Sequence, residues 1–148
     1  MKNNKKLLIQ PFLKWAGGKR QLIPQMKNYF PKKITSYYEP FIGGASVLFY
    51  LQPDKAVVND YNKDLINCYL CIKNNYEELI TELEIYKDKN IAEEYYKIRE
   101  LDRTDKYKEL SDVQRAARLI YLNRTCYNGL FRLNSSGQFN TPFGSYKN

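Results

Sequence analysis

Apolar residues follow two different periods along the chain. Ile34–Glu39 (ITSYYE) and Lys55–Asn59 (KAVVN) concentrate β-branched and aromatic residues, and each reads as a short strand. Between them, Pro40-Phe41-Ile42-Gly43-Gly44 leads into the apolar run Ser46–Leu51, so the pattern predicts strand, glycine turn and helix, closed by Pro53-Asp54. Beyond Asn62 the period lengthens to that of a helix. Asn62 is a candidate cap for a helix whose Leu65, Ile66, Tyr69 and Ile72 line one face. Asn75 with Glu78 resembles a second capping arrangement, and Ala92–Leu101 reads as a further helix. Ser111 with Gln114 is a better capping box. It precedes Val113, Ala116, Ala117, Ile120 and Tyr121 at helical spacing, with Arg115 and Arg118 expected on the opposite face.

From Asn123 the period disappears. NRTCYNGLFRLNSSGQFNTPFGSYKN mixes Asn, Arg, Gly and aromatics. Asn134-Ser135-Ser136-Gly137 is a turn signal between Phe131–Leu133 and Gln138–Asn140, which predicts a β-hairpin with a polar tip. Residues 1–12 read as an arm. Two βα units with an acid after the second strand suggest the start of a doubly wound α/β sheet over residues 1–61. Residues 62–148 form a mainly helical second part ending in the hairpin.

Composition narrows the chemistry. The chain has 148 residues, 43% hydrophobic and 27% charged, enough for a core and about one domain in length. It contains no histidine, which excludes Ser-His-Asp and Cys-His catalysis and histidine metal sites. A net charge of +8 favours polyanionic partners such as nucleic acid, although a lysine-rich solvated surface gives the same number. Cys68 and Cys71 form a C-x-x-C. Only Cys126 remains to complete a metal set, and the pair falls inside an amphipathic run, so structural burial is expected rather than zinc or redox work. The basic start MKNNKKLLIQPF has too short an apolar part for a signal peptide, and a cytoplasmic location is expected.

Three elements carry candidate binding chemistry. The turn E-P-F-I-G-G-A-S lets a ligand press against bare backbone at a helix N-terminus. Its Glu39 suits a ligand ammonium better than a phosphate. The glycine pair alone fits a ligand-free tight turn equally well. Asp60 stands after the second strand, where an acid can accept hydrogen bonds from ribose hydroxyls; a helix cap near Asn62 is the alternative. Trp15-Ala16-Gly17-Gly18-Lys19 offers an apolar plane, close backbone approach and a cation, without being a Walker A loop. A ligand with an ammonium, a carboxylate, a ribose and a purine would use all three. S-adenosylmethionine has those parts.

Taken in order, F-L-K-W-A-G-G-K-R, E-P-F-I-G-G-A-S, V-V-N-D-Y-N-K-D-L and N-R-T-C-Y-N-G-L-F-R-L-N-S-S-G-Q-F-N-T-P-F-G-S-Y-K resemble the Dam-type, alpha-group DNA adenine-N6 methyltransferases. The resemblance spans about Phe12 to Lys147. It implies a Rossmann-like methyltransferase core, here its first two βα units, with a helical and β-hairpin target-recognition domain. It implies S-adenosylmethionine as cofactor, held with the help of Trp15, Gly17, Lys19, Glu39, Phe41, Gly43 and Asp60. It also implies double-stranded DNA as partner, met by Lys14, Asn123, Arg124, Tyr127, Asn128, Arg132 and Pro142. Tyr127-Asn128 would wedge the site of a flipped adenine, and Arg132 would read a guanine. No metal is implied.

The chain departs from that family pattern in three places. Ala45 replaces a later glycine of the turn, and Ser145 stands where some members carry a DNA-contacting arginine, which leaves a GATC-like target open. The Asp-Pro-Pro-Tyr motif that would hold the adenine amino group is absent; the sequence contains no Pro-Pro. A truncated enzyme is the favoured expectation, with no catalytic residue in this chain. Half of a split enzyme completed by a second chain, and a non-catalytic DNA-binding module, are the alternatives. A nucleotide-binding domain acting on a small molecule would leave the Asn/Arg/aromatic end segment unexplained.

Overall fold

A computed structural model describes residues 9–144 of the chain. Most of the arm expected over residues 1–12, and Ser145, lie outside the described residues. The chain divides into two compact units: one holds Gly17–Tyr61 with the N-terminal residues, and the other holds Leu13–Ala16 and the chain from Asn62 onward. The short stretch Leu13–Ala16 therefore groups with the second unit, not with the residues on either side of it.

The first unit is a mixed helix and strand element. A short helix α1 (Ile23–Met26) precedes β1 (Tyr37–Glu39), α2 (Ser46–Leu51) and β2 (Ala56–Val58). The strands pair in parallel with Tyr37 opposite Ala56, Tyr38 opposite Val57 and Glu39 opposite Val58. The strand expected from Ile34 begins only at Tyr37. Its partner is three residues long, so the ladder has nothing to bond further back. Ile42, Ala45 and Val47 are buried beneath the turn and α2, whereas Tyr38 and Val57 stay exposed on the sheet.

The second unit is helical: α3 (Lys63–Asn74), α4 (Tyr76–Glu84), α5 (Ala92–Glu100), α6 (Lys106–Glu109) and α7 (Asp112–Thr125). Asn62 caps α3 as expected, accepting from Leu65 N at 2.9 Å. The Ser111–Gln114 capping box is fully formed. Asn75 makes no side-chain cap on α4, and its backbone N–H closes α3 on Cys71 O instead of donating to Glu78.

The expected face of α3 is rotated, whereas on α7 the expected Val113, Ala116, Ala117 and Tyr121 are buried and burial extends further round the helix. The buried stripe of α3 is Leu65, Cys68 and Cys71, with Ile72 exposed. α7 presents the small residues Ala116 and Ala117, and the compact Cys68 thiol reaches Ala116 O at 3.7 Å where a larger side chain would hold the helices apart. Arg118 is likewise not on a solvated face; it is 4% exposed, because α5 covers that side of α7 and offers it carbonyl oxygens.

All three cysteines are buried thiols. Burial is the largest influence on each and pushes Cys68, Cys71 and Cys126 above the ordinary thiol value. Since the thiolate is the reactive form, labelling of the native protein by a disulfide reagent at neutral pH is expected to be about tenfold or more slower than in urea. Equal rates would mean that the helices open readily. Among the described residues no helix is long and apolar enough to cross a membrane.

Candidate cofactor turn and DNA-facing surface

In the first unit, parallel pairing brings the carboxyl ends of β1 and β2 to one edge. The sequence spacing between Gly43 and Asp60 closes there into a contact, Gly43 N–H donating to Asp60 Oδ2 at 3.0 Å. Ile42 N–H bonds Asn59 O at 2.9 Å and fixes the same corner. Gly43 turns with φ +49°, and Ala45 takes φ +57° just before α2, a left-handed conformation that costs an L-residue roughly 1–2 kcal/mol. That is the physical reason the family pattern prefers glycine at Ala45. Asp60 is not the cap of α3, since Asn62 does that work.

Glu39 is 7% exposed and doubly held. It accepts from the Tyr37 hydroxyl at 2.6 Å and from Lys19 Nζ at 3.0 Å, and Lys19 also donates to Phe41 O at 2.9 Å. Burial first, then the hydrogen bond to Glu39 and its charge, push the Tyr37 phenol far above its ordinary value, so it stays a donor. Tyr37 escaped sequence reading; its place two residues before Glu39, on the same strand face, was the available signal. Phe41 stands exposed beside the turn, and Gly17 lies exposed two residues before Lys19. Trp15 belongs to the second unit and stacks on Phe131 with ring centroids 4.6 Å apart.

In the second unit, α7 ends in the turn Tyr127–Gly129. Tyr127 is 56% exposed and its N–H bonds Pro142 O at 2.9 Å, so Pro142 is brought beside it. Asn128 is exposed with φ +55°. Arg124 is exposed on the last turn of α7, and Lys14 is also exposed. Asn123 is a correction. It is wholly buried, because its amide is consumed by backbone: Nδ2 donates to Lys14 O and Gly129 O, and Oδ1 accepts from Lys14 N–H.

The hairpin forms around an antiparallel bridge of Leu133 with Phe139. Asn134 Oδ1 accepts from Ser136 N–H and Gln138 N–H and shapes the tip. Arg132 is exposed, with its guanidinium aimed by Asn140: Nε donates to Asn140 Oδ1 at 2.8 Å and Nη2 to Asn140 O at 3.3 Å. Asn140 was not singled out from sequence, though hairpin register places it opposite Arg132.

Comparison with known proteins gives the family. The family model described as D12 class N6 adenine-specific DNA methyltransferase matches residues 15–148. A Type II methyltransferase of Lactococcus lactis subsp. cremoris, M1.LlaDCHI, is 48% identical over 97% of this chain and 50% of its own length. M.MjaIII, a Type II methyltransferase of Methanocaldococcus jannaschii, is 43% identical over 95% of the chain and 54% of its own length. The DNA adenine methylase of Escherichia coli K12 is 40% identical over 92% of the chain and 48% of its own length. The chain spans about half the length of the curated relatives it matches. With a family match across nearly all of its length, the chain belongs to the D12 class of N6 adenine-specific DNA methyltransferases.

Proposed function

We propose that this chain carries the cofactor-binding and DNA-recognition parts of an S-adenosylmethionine-dependent methyltransferase acting on adenine N6 in double-stranded DNA. Residues 1–61 are then the N-terminal part of a Rossmann-like core, and residues 62–148 the target-recognition domain. The observation that carries this reading is the exposed Tyr127–Asn128 turn, braced in one unit with Lys14, Pro142 and the Asn140-aimed Arg132. Such a surface combines cations for phosphate, an aromatic for a vacated base site and a guanidinium shaped for guanine.

The first unit fits the cofactor by its donor set. Glu39 is an acid held in a buried corner and suits the ammonium; Asp60, at the carboxyl end of β2, suits the ribose hydroxyls; Lys19 suits the carboxylate; Gly43 permits close approach. The paired Lys19 and Glu39 would each keep a counter-charge until the amino-acid end of the ligand separates them. Bound cofactor supplies an electrophilic methyl on a sulfonium. Asp60→Ala is expected to weaken S-adenosylmethionine binding by about 1.5–3 kcal/mol in a calorimetric titration. Unchanged affinity would leave Asp60 as a brace for the Gly43 turn and nothing more.

DNA binding is expected to fall steeply with salt, since a chain of net charge +8 neutralises several phosphates. Arg132→Ala should narrow the gap between a GATC duplex and an unrelated one by about 1–3 kcal/mol, read by fluorescence anisotropy. An equal loss for both duplexes makes Arg132 a phosphate contact and sinks its base-reading role.

A further inference from the structure

We infer that Asn123 is a positioning residue that sets Lys14 and the Tyr127–Gly129 turn in one fixed register, so that the two DNA-facing segments act as a single reader. The inference rests on the functional reading above. Lys14 and Gly129 are far apart in the chain, yet Asn123 joins their backbones: Nδ2 bonds Lys14 O at 2.9 Å and Gly129 O at 3.0 Å, while Oδ1 takes Lys14 N–H at 2.9 Å. Both amide hydrogens and the amide oxygen are engaged, and the side chain is wholly buried. The asparagine amide can accept from and donate to the backbone of one residue while donating again elsewhere.

A second observation points the same way. Gly129 has φ +64°, and a Cβ there would overlap the Lys14 side chain, coming within 2.9 Å of Lys14 Cβ. The stem of Lys14 thus crosses bare backbone one residue after Asn128. The next residue, Trp15, stacks on Phe131, the neighbour of Arg132. The Lys14 segment is held to the recognition turn on both sides of its own α-carbon, and Asn123 is the only polar side chain bonded to both partners among the described hydrogen bonds. Removing it takes the amide donor from the buried Gly129 carbonyl and both of its bonds from the Lys14 backbone, which loosens the two segments from each other.

The test measures the affinity of the 148-residue chain for a short GATC duplex and for a scrambled one, in a double-mutant cycle. Asn123→Ala is expected to reduce the GATC preference about tenfold. In a Lys14→Ala background the same substitution is expected to change that preference less than about twofold, because the lysine it aims is gone. Gly129→Ala pushes on the Lys14 stem from the residue whose carbonyl takes Asn123 Nδ2, while keeping the asparagine, and should reproduce the loss, which keeps the inference open to disproof if Asn123→Ala does not fold. Tyr95→Phe is the control: it removes another buried hydrogen bond of this unit, Tyr95 hydroxyl to Thr141 O, away from the clamp. Amide exchange at Lys14 should accelerate in Asn123→Ala and not in Tyr95→Phe. Equal losses in both lysine backgrounds, or a loss matched by Tyr95→Phe, overturn the inference. If the unaltered chain does not prefer GATC, the functional reading fails in that measurement alone, before any variant is compared.

Discussion

Replacing Arg118 with alanine is expected to destabilise the second unit by about 3 kcal/mol, the lower end of what removing one partner of a buried ion pair costs, because Arg103 still pairs with Asp102. The Arg118 guanidinium is 4% exposed. Its Nε donates to Ile98 O at 2.9 Å, and its Nη2 donates to Arg99 O at 2.6 Å and pairs with Asp102 Oδ2 at 3.1 Å. These carbonyls lie at the end of α5, where Ile98 O also takes Leu101 N–H and Arg99 O also takes Arg103 Nη1, so Arg118 is a second donor to each. Asp102 Oδ2 in turn accepts from Phe139 N–H at 2.8 Å, so the same pair ties the hairpin to the helices. Alanine would remove one of two donors from each carbonyl and from Asp102 Oδ2, and leave a cavity beside Tyr107, whose ring lies 5.1 Å from the guanidinium carbon. Asp102→Asn keeps an acceptor for Phe139 and should cost less. Urea denaturation followed by circular dichroism gives the comparison. A loss below about 1 kcal/mol for Arg118→Ala would show that water reaches this site and that the pair behaves as a surface contact.

A polypeptide of these 148 residues is expected to transfer no methyl group to DNA, even at saturating S-adenosylmethionine. Adenine N6 is a poor nucleophile because its lone pair is delocalised into the ring. Its attack on the sulfonium methyl requires acceptors for the amino hydrogens and an in-line approach, and alignment of this kind is worth about 7–11 kcal/mol. The family resemblance assigns those acceptors to an Asp-Pro-Pro-Tyr motif, and the chain holds no Pro-Pro. Supplying a segment with that motif, fused or as a second chain, should restore transfer to adenine N6. Labelled methyl incorporation by the 148 residues alone would overturn this expectation and place the acceptors among residues 123–128. The binding predictions for Asp60 and Arg132 do not depend on that outcome, since neither needs the reaction to proceed.

Local patterns in the sequence determined a good deal about this protein. The glycine turn between Glu39 and Ser46, the Asn62 cap, the Ser111–Gln114 box, the α7 stripe and the Asn134–Gly137 tip are all written in residues within a few positions of one another. Such features depend on short-range geometry, and a short window contains all of it. The family was legible for a related reason: four motifs in order are a linear signal.

Tertiary structure decided what depends on residues remote in the chain. Which side of α3 is buried was settled by the small Ala116 and Ala117 across from it, not by the apolarity of Ile72. Arg118 became a buried keystone only because α5 ends beside it. Asn123, read from its motif as a DNA contact, turned inward because the backbone of Lys14, 109 residues away, comes within reach, and the asparagine amide takes its N–H and donates to its C=O. The partner of Trp15 was set in the same way, since Phe131, remote in the chain, offers it a ring face. A sequence shows which groups need partners; the fold determines which partner comes within reach.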